Sequence, residues 1–266
     1  MQWPIEILSA IILGLIQGLT EFIPISSSGH LVIAQTFLSG AGDHLFLEFI
    51  NIGTMLALLV FFRRRILAIL QDVFIKRNFR LARNILITVI PAGVVGFLLA
   101  NFIESAWFFT SAVVVVFTLA IVGFIMVILE KLPHASKVES GEKLGPVRAL
   151  TIGLAQMLAL IPGVSRSGAT IIAGRLSGLS PAEAAEYSFL ASLPIMFGVT
   201  VKVLATDHEY LTSHLGTLIV SNAAAFIAGL LAVGFLMRYL AKHSLAVFGW
   251  YRIGLAAILA IVLLVQ

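Results

Sequence analysis

Two stretches of this chain, Phe108–Leu129 and Leu215–Met237, run for 22 and 23 residues without a charged side chain. A helix rises 1.5 Å per residue, so either one can cross the roughly 30 Å hydrocarbon core of a bilayer. In water, surfaces of that kind need a large polar covering, and the chain cannot supply it. Only 11% of its 266 residues are charged and 60% are apolar, against about 25% and 45–50% in soluble domains. A soluble globular domain, a disordered chain and a nucleic-acid binder are therefore excluded. The expected fold is an all-α polytopic membrane protein. Cysteine is absent, which removes disulfides, thiolate metal sites and thiol nucleophiles. No Lys or Arg precedes Arg63, so the apolar start lacks the basic leader of a signal peptide and cleavage is not expected.

Six apolar stretches have spanning length: Leu45–Phe62, Ile85–Ile103, Phe108–Leu129, Tyr187–Ala205, Leu215–Met237 and Ser244–Val265. Two others, Ile7–Leu19 and Ala149–Ile161, have 13 residues each, or roughly 20 Å of helix. Each runs into a Pro/Gly/Ser-rich break followed by another short run. Runs of that length predict re-entrant hairpins, although one ordinary span over Ile7–Ile25 is the simpler alternative. The cations sort by loop. Arg63, Arg64, Arg65, Lys76, Arg77, Arg80 and Arg83 separate the first two spans. Lys131, Lys137, Lys143 and Arg148 follow the third, and Arg238 and Lys242 follow the fifth. The opposite face holds only Lys202. The positive-inside rule then makes the basic loops cytoplasmic and puts both termini outside.

The two broken segments match at an offset of 139. Gly14, Gln17, Ser26, Ser28 and Gly29 correspond to Gly153, Gln156, Ser165, Ser167 and Gly168. Glu48-Phe49 and Glu186-Tyr187 follow at an offset of 138. The chain divides into a first repeat (1–129), a cytoplasmic linker (130–148) and a second repeat (149–266), each repeat a re-entrant hairpin plus three spans. Three is odd, so the second copy enters from the other side. Inverted repeats of this kind place their site where the broken segments meet.

The first break reads from Gln17 through Glu21, Pro24 and Ser26-Ser27-Ser28-Gly29-His30. The second reads Pro162-Gly163-Val164-Ser165-Arg166-Ser167-Gly168-Ala169-Thr170. Each proline ends a half-helix, and the serines and glycines open the next one. Helix N-terminal N–H groups, hydroxyls and an arginine together suit a phosphate. Serine also caps helices routinely, but capping needs one hydroxyl per helix, and here Ser26, Ser27, Ser28, Ser165, Ser167 and Thr170 accumulate beside Arg166. Gln17 and Glu21 share a helix face. A carboxylate beside a phosphate pocket points to a divalent cation, Mg²⁺ or Ca²⁺, or else to an ion pair with Arg166. His30 is a candidate general base, general acid or phosphate donor. Glu48 and Glu186 either bind cations or pair with Arg166, Arg175 or Arg252. Asn222 reads as glue between helices. His134, His208, His214 and His243 receive no role.

These motifs resemble the bacitracin-resistance type of undecaprenyl-diphosphate phosphatase over essentially the whole chain. The family pattern (Glu/Gln)-x-x-x-Glu corresponds to Gln17 and Glu21, Ser-Ser-x-Gly-His to Ser26 through His30, and Pro-Gly-x-Ser-Arg-Ser-Gly-Ala-Thr to Pro162 through Thr170. The resemblance implies six spans, two re-entrant hairpins and a homodimer. It implies hydrolysis of an isoprenyl diphosphate to the monophosphate carrier lipid and inorganic phosphate at an outward-facing site, which recycles the carrier for cell-wall synthesis and confers bacitracin resistance. It also implies a divalent cation held by Glu21 and Gln17, and a catalytic core of Glu21, Ser27, His30 and Arg166, with Ser26, Ser28, Gly29, Ser165, Ser167, Gly168 and Thr170 binding substrate. Gln17 leaves one carboxylate fewer for metal than the Glu variant. The attacking group is Ser27, with His30 or Glu21 as its base, or an activated water. The alternative function is an inverted-repeat transporter or flippase for a lipid phosphate or small anion. A second lipid-phosphatase family with a Ser-Gly-His motif needs a histidine where Ile172 stands, and is disfavoured.

Overall fold

The computed structural model describes residues 3–35, 38, 43–132 and 137–265. In chain order the helices are α1 (Trp3–Phe22), α2 (Ser27–Gln35), α3 (His44–Phe61), α4 (Arg63–Phe74), α5 (Arg80–Leu98), α6 (Ala100–Ser105) and α7 (Trp107–Thr110). They continue as α8 (Ala112–Lys131), α9 (Pro146–Met157), α10 (Arg166–Leu176), α11 (Pro181–Thr206), α12 (His208–Ser213), α13 (Leu215–Leu240) and α14 (Ala246–Val265). No strand occurs among the described residues; Val138 and Leu179 form one isolated bridge. Six helices, α3, α5, α8, α11, α13 and α14, are long and apolar enough to cross a membrane. They correspond to the six expected stretches.

Local chemistry sets most of the boundaries. Asp43 caps α3 by accepting from Phe46 N–H. Ser180 caps α11 by accepting from Glu183 N–H, with Pro181 in the first turn. Pro146 opens α9 in the same way. Several boundaries differ from the hydropathy reading, among them the start of the second span, at Arg80 and not at Ile85. The second span ends at Leu98 and not at Ile103, and the third begins at Ala112 and not at Phe108. Between them Leu99 leaves helical geometry, and Ala106 and Ser111 are extended, which sets off the short helices α6 and α7 around the polar residues Asn101, Glu104 and Ser105. The fourth span starts six residues before Tyr187 because Ser180 and Pro181 initiate it there. The first half-helix is also longer than its 13-residue run: α1 holds 20 residues. It still breaks at Ile23–Ser26 ahead of α2, so residues 7–25 are not one continuous span.

Close backbone contacts hold the bundle. A Cβ on Gly14 would lie 2.2 Å from Ser221 O, and one on Gly18 would lie 2.5 Å from Ala225 O, so α1 sinks against α13 along a glycine edge. Gly123 and Gly249 do the same for α8 and α14, where a Cβ on either would fall within 2.8 Å of the other's carbonyl oxygen. Asn222 joins α13 to α3 by accepting from Gly53 N–H at 2.6 Å. Behind the first break, fully buried Phe22 meets Phe189 of α11 edge-on, with ring centroids 5.6 Å apart. The outward faces stay apolar: Phe97 is 83% exposed and Leu264 is 87% exposed. Exposure of that size is costly in water and harmless in hydrocarbon.

The basic loops gather at one end of the bundle. Arg65 bonds Glu186 at 2.9 Å, Asn78 donates to Glu142, and Leu245 N–H donates to Glu130. Residues 141–144 of the linker pack against α5. Asn84 donates to the carbonyls of Gly141 and Leu144, and Leu144 is buried. The linker residues 133–136, including His134, lie outside the described residues.

Candidate active site

The two breaks have the same local geometry. Ser26 lies at φ +75° and Ser165 at φ +73°, a left-handed region that a non-glycine residue adopts only under constraint. Each serine then caps the following half-helix. Ser26 Oγ accepts from Gly29 N–H at 3.2 Å and Ser165 Oγ from Gly168 N–H at 3.1 Å. Each also lies 3.1 Å from the hydroxyl two residues on, Ser28 or Ser167. Gly163, at φ +86°, lets the second break pass α8, since a Cβ there would fall 2.0 Å from Thr118 Oγ1. Thr118 in turn donates to Pro162 O at 2.7 Å.

Glu21 is where the breaks converge. Its Oε1 accepts from Arg166 Nη2 at 2.7 Å. Its Oε2 accepts from Ser27 Oγ at 2.7 Å and from Gln17 Nε2 at 3.1 Å. The breaks also touch directly, through Gly163 N–H to Ser28 Oγ (3.3 Å) and Ser167 Oγ to Glu21 O (3.4 Å). Glu21, Ser27, Ser165 and Arg166 are partly exposed and Ser28 is exposed. Among the described residues, the side-chain hydrogen bonds of Arg166 all leave from Nη2. Its Nε and Nη1 are then available to a phosphate beside the Ser27 hydroxyl.

The other expected site residues play different parts. Ser26, Ser167, Gly29, Gly168 and Thr170 are buried. Thr170 Oγ1 is committed to Ser188 Oγ at 2.6 Å and to Arg166 O at 2.8 Å, so it braces α10 against α11 and does not face the cluster. His30 is not placed to deprotonate Ser27. Its Nδ1 lies 2.7 Å from Ser26 O, which can only accept, so that nitrogen carries the proton. Nε2 then accepts from Tyr251 Oη at 2.7 Å. Of the two expected bases, only Glu21 reaches the Ser27 hydroxyl. Glu186 pairs with Arg65, not with Arg166, Arg175 or Arg252, because the early start of α11 carries it to the basic end. Glu48 lies 3.8 Å from His44. Arg175 sits beside Glu130 and donates to Leu179 O.

The donor set for a cation is sparse. Among the described residues, no group of three or more His, Cys, Asp or Glu side chains comes together. Asn51 donates through Nδ2 to Leu47 O, which turns its Oδ1 toward Gln17 Nε2 at 2.6 Å. Gln17 therefore presents its amide nitrogen to Glu21, and its carbonyl is turned away from the position of a shared ligand. What remains fits a hard cation that takes one carboxylate from the protein and completes its shell with phosphate oxygens and water.

Sequence reasoning missed Asn51, Thr118 and Tyr251, and it treated Arg252 only as a partner for glutamates. All four lie on distant helices without a motif; their one signal is polarity inside an apolar stretch.

Comparison with known proteins bears on the whole constellation. The family model described as "Bacitracin resistance protein BacA" matches residues 10–258. An undecaprenyl-diphosphatase of Rubrobacter xylanophilus is 41% identical over 98% of this chain and 99% of its own length. One of Nitrosomonas eutropha is 39% identical over 97% and 94%. Undecaprenyl-diphosphatase 2 of Shewanella oneidensis is 38% identical over 96% and 97%.

Proposed function

The chain belongs to the bacitracin-resistance protein family, and from that premise we propose how its two breaks carry out the family's reaction. The protein is an integral membrane phosphatase that acts on undecaprenyl diphosphate. Its reaction releases inorganic phosphate and leaves the lipid monophosphate. The observation that carries the site assignment is Glu21 Oε1 and Oε2 bonded at once to Arg166 of one break and Ser27 of the other.

The terminal phosphoryl group lies between Ser27 and Arg166. Ser27 Oγ attacks the terminal phosphorus, its proton passes to Glu21 Oε2, and the lipid monophosphate leaves with the bridging oxygen. Glu21 passes that proton to the departing phosphate oxygen, then takes one from the water that attacks the phosphoserine; inorganic phosphate leaves, and the proton returns from Glu21 to Ser27 Oγ. Arg166 and the exposed Ser28 hydroxyl stabilise charge on the equatorial oxygens. His30 donates to Ser26 O through Nδ1 and accepts from Tyr251 Oη through Nε2, so it braces the first break and does not itself meet the phosphate. Glu21 is the residue that would hold a divalent cation, which would supply charge neutralisation on the phosphate oxygens.

The finer placement follows charge. Thirteen of the 17 Lys and Arg residues lie in the three basic loops, which are assigned to the cytoplasmic side, with both termini and the site mouth outward. The two breaks belong to inverted repeats in one membrane domain, and the chain works as a homodimer. The deciding assay is phosphate release from an isoprenyl diphosphate by the purified chain in detergent, with and without chelator. Transport has no meaning in micelles, so release there separates hydrolysis from movement of a lipid. Absence of release sinks the reading. Undiminished release in chelator removes the cation.

A further inference from the structure

A charge inside a bilayer protein is expensive unless it has a partner or a task. Arg252 on α14 is fully buried. Among the described residues, none of the ion pairs includes it. It donates instead to backbone carbonyls: from Nη1 to Pro24 O at 3.2 Å, and from Nη2 to Gly163 O at 2.6 Å and Val164 O at 3.2 Å. Longer contacts of 3.5 Å run to Leu119 O and Thr118 O of α8. Pro24 belongs to the first break, and Gly163 and Val164 to the second. One guanidinium therefore spans both.

The sequence makes this reach possible. Phe248, Gly249, Arg252 and Ala256 form the buried face of α14, and the Gly123–Gly249 contact draws that face onto α8. Neither break is helical at the bonded carbonyls, so a buried oxygen there has no ladder partner and needs a donor. A planar fork serves three carbonyls in two segments; an ammonium on a single stem does not. With no carboxylate to neutralise it, the cation also adds positive potential where the breaks meet.

We infer that Arg252 is a positioning residue for the phosphatase reaction: it sets the spacing of the two breaks, and so the distance between Ser27 and Arg166. The inference rests on the function proposed above. Arg252 lies behind the breaks and acts through the segments it holds.

The test compares Arg252→Lys and Arg252→Met with Arg175→Lys, a second buried arginine that lies outside both breaks. Each full-length variant is purified in detergent, and kcat, KM for an isoprenyl diphosphate and thermal midpoint are measured. The spacing of the breaks is read separately. The chain has no native cysteine, so Leu19→Cys and Leu158→Cys, at exposed positions ahead of each break, carry spin labels for distance measurement. Arg252→Lys is expected to lower kcat about tenfold or more with KM held within about threefold, and to broaden the label distance. Arg252→Met is expected to do both more severely. Arg175→Lys is expected to shift only the thermal midpoint. Normal turnover in both Arg252 variants overturns the inference. So does an unchanged label distance with a kcat loss that merely follows the loss of thermal midpoint. If the wild-type chain releases no phosphate, the function reading fails, and the label distances alone still decide whether Arg252 spaces the breaks.

Discussion

Replacing Glu21 with Gln separates the geometry of the site from its chemistry. The amide is nearly isosteric with the carboxylate. Its carbonyl oxygen can take the place of Oε1 and keep accepting from Arg166 Nη2, now at 2.7 Å. The amide nitrogen then takes the place of Oε2, where it can no longer accept the Ser27 proton across the 2.7 Å donor–acceptor gap and faces Gln17 Nε2, another donor, at 3.1 Å. Both residues of the ion pair are mostly buried. Exchanging a charge-assisted hydrogen bond for a neutral one there costs on the order of 1 kcal/mol, and the unsatisfied donor at Gln17 about 1–3 kcal/mol more, at about 2–4 °C per kcal/mol in a chain of this size. Loss of the base costs about 10²–10⁴ in kcat, or about 3–5 kcal/mol of barrier at 1.36 kcal/mol per tenfold. The expected variant is folded, less stable than the wild type by several degrees and almost inactive. Thermal denaturation and phosphate release in the same detergent check both halves. Turnover within fivefold of wild type refutes Glu21 as the base, and gross unfolding refutes the geometric part.

Three further outcomes follow from the same geometry. Ser27→Ala is expected to abolish phosphate release, and acid quench of the wild type with substrate labelled in its terminal phosphate should leave the label on Ser27; inversion at phosphorus in a single step would exclude that route. Arg166→Ala should lose about 10³-fold or more in kcat/KM, with Arg166→Lys between it and wild type, because a lysine keeps the charge and loses the fork; a fully active Arg166→Ala ends the assignment. Gly163→Ala should lower the thermal midpoint, since the φ of +86° alone costs an alanine about 1–2 kcal/mol and the new methyl meets Thr118 Oγ1. Adding Thr118→Ala should relieve only the steric part, and complete recovery would show that backbone strain is absent.

The bundle and the site were legible to different depths. Hydropathy and length find all six spans because each is a local property of 18 or more residues. Proline and serine chemistry finds both breaks for the same reason. Boundaries differ where hydropathy is blind to backbone: apolar residues such as Phe102, Ile103, Phe108 and Phe109 extend the spans in composition, but Leu99 ends α5 and the extended Ser111 precedes α8. Glu21, Ser27 and Arg166 could be named from their motifs. The Glu21–Arg166 pair is expected from the sequence and present in the structure, but which carboxylate oxygen faces Arg166 and which faces Ser27 could not be derived, because the partners are 145 positions apart and meet only after α10 packs. The same holds for Tyr251 on His30, 221 positions away. Glu186 was assigned to the wrong arginines because its place along the span depended on where Ser180 starts α11.

The paired left-handed serines have one more consequence. Ser26 and Ser165 hold their segments in a conformation that glycine would enter more freely, yet each keeps a hydroxyl that ties the turn to its own helix. The side chains proposed to meet phosphate, Ser27, Ser28 and Arg166, therefore project from turns whose backbone is shaped in advance. A ligand that meets such a surface loses little affinity to reorganisation, and donors already aimed at the developing charge need not move during the reaction. It also resists retuning. Moving one turn to suit a new headgroup would disturb the other, because the breaks touch through Gly163 N–H to Ser28 Oγ and Ser167 Oγ to Glu21 O.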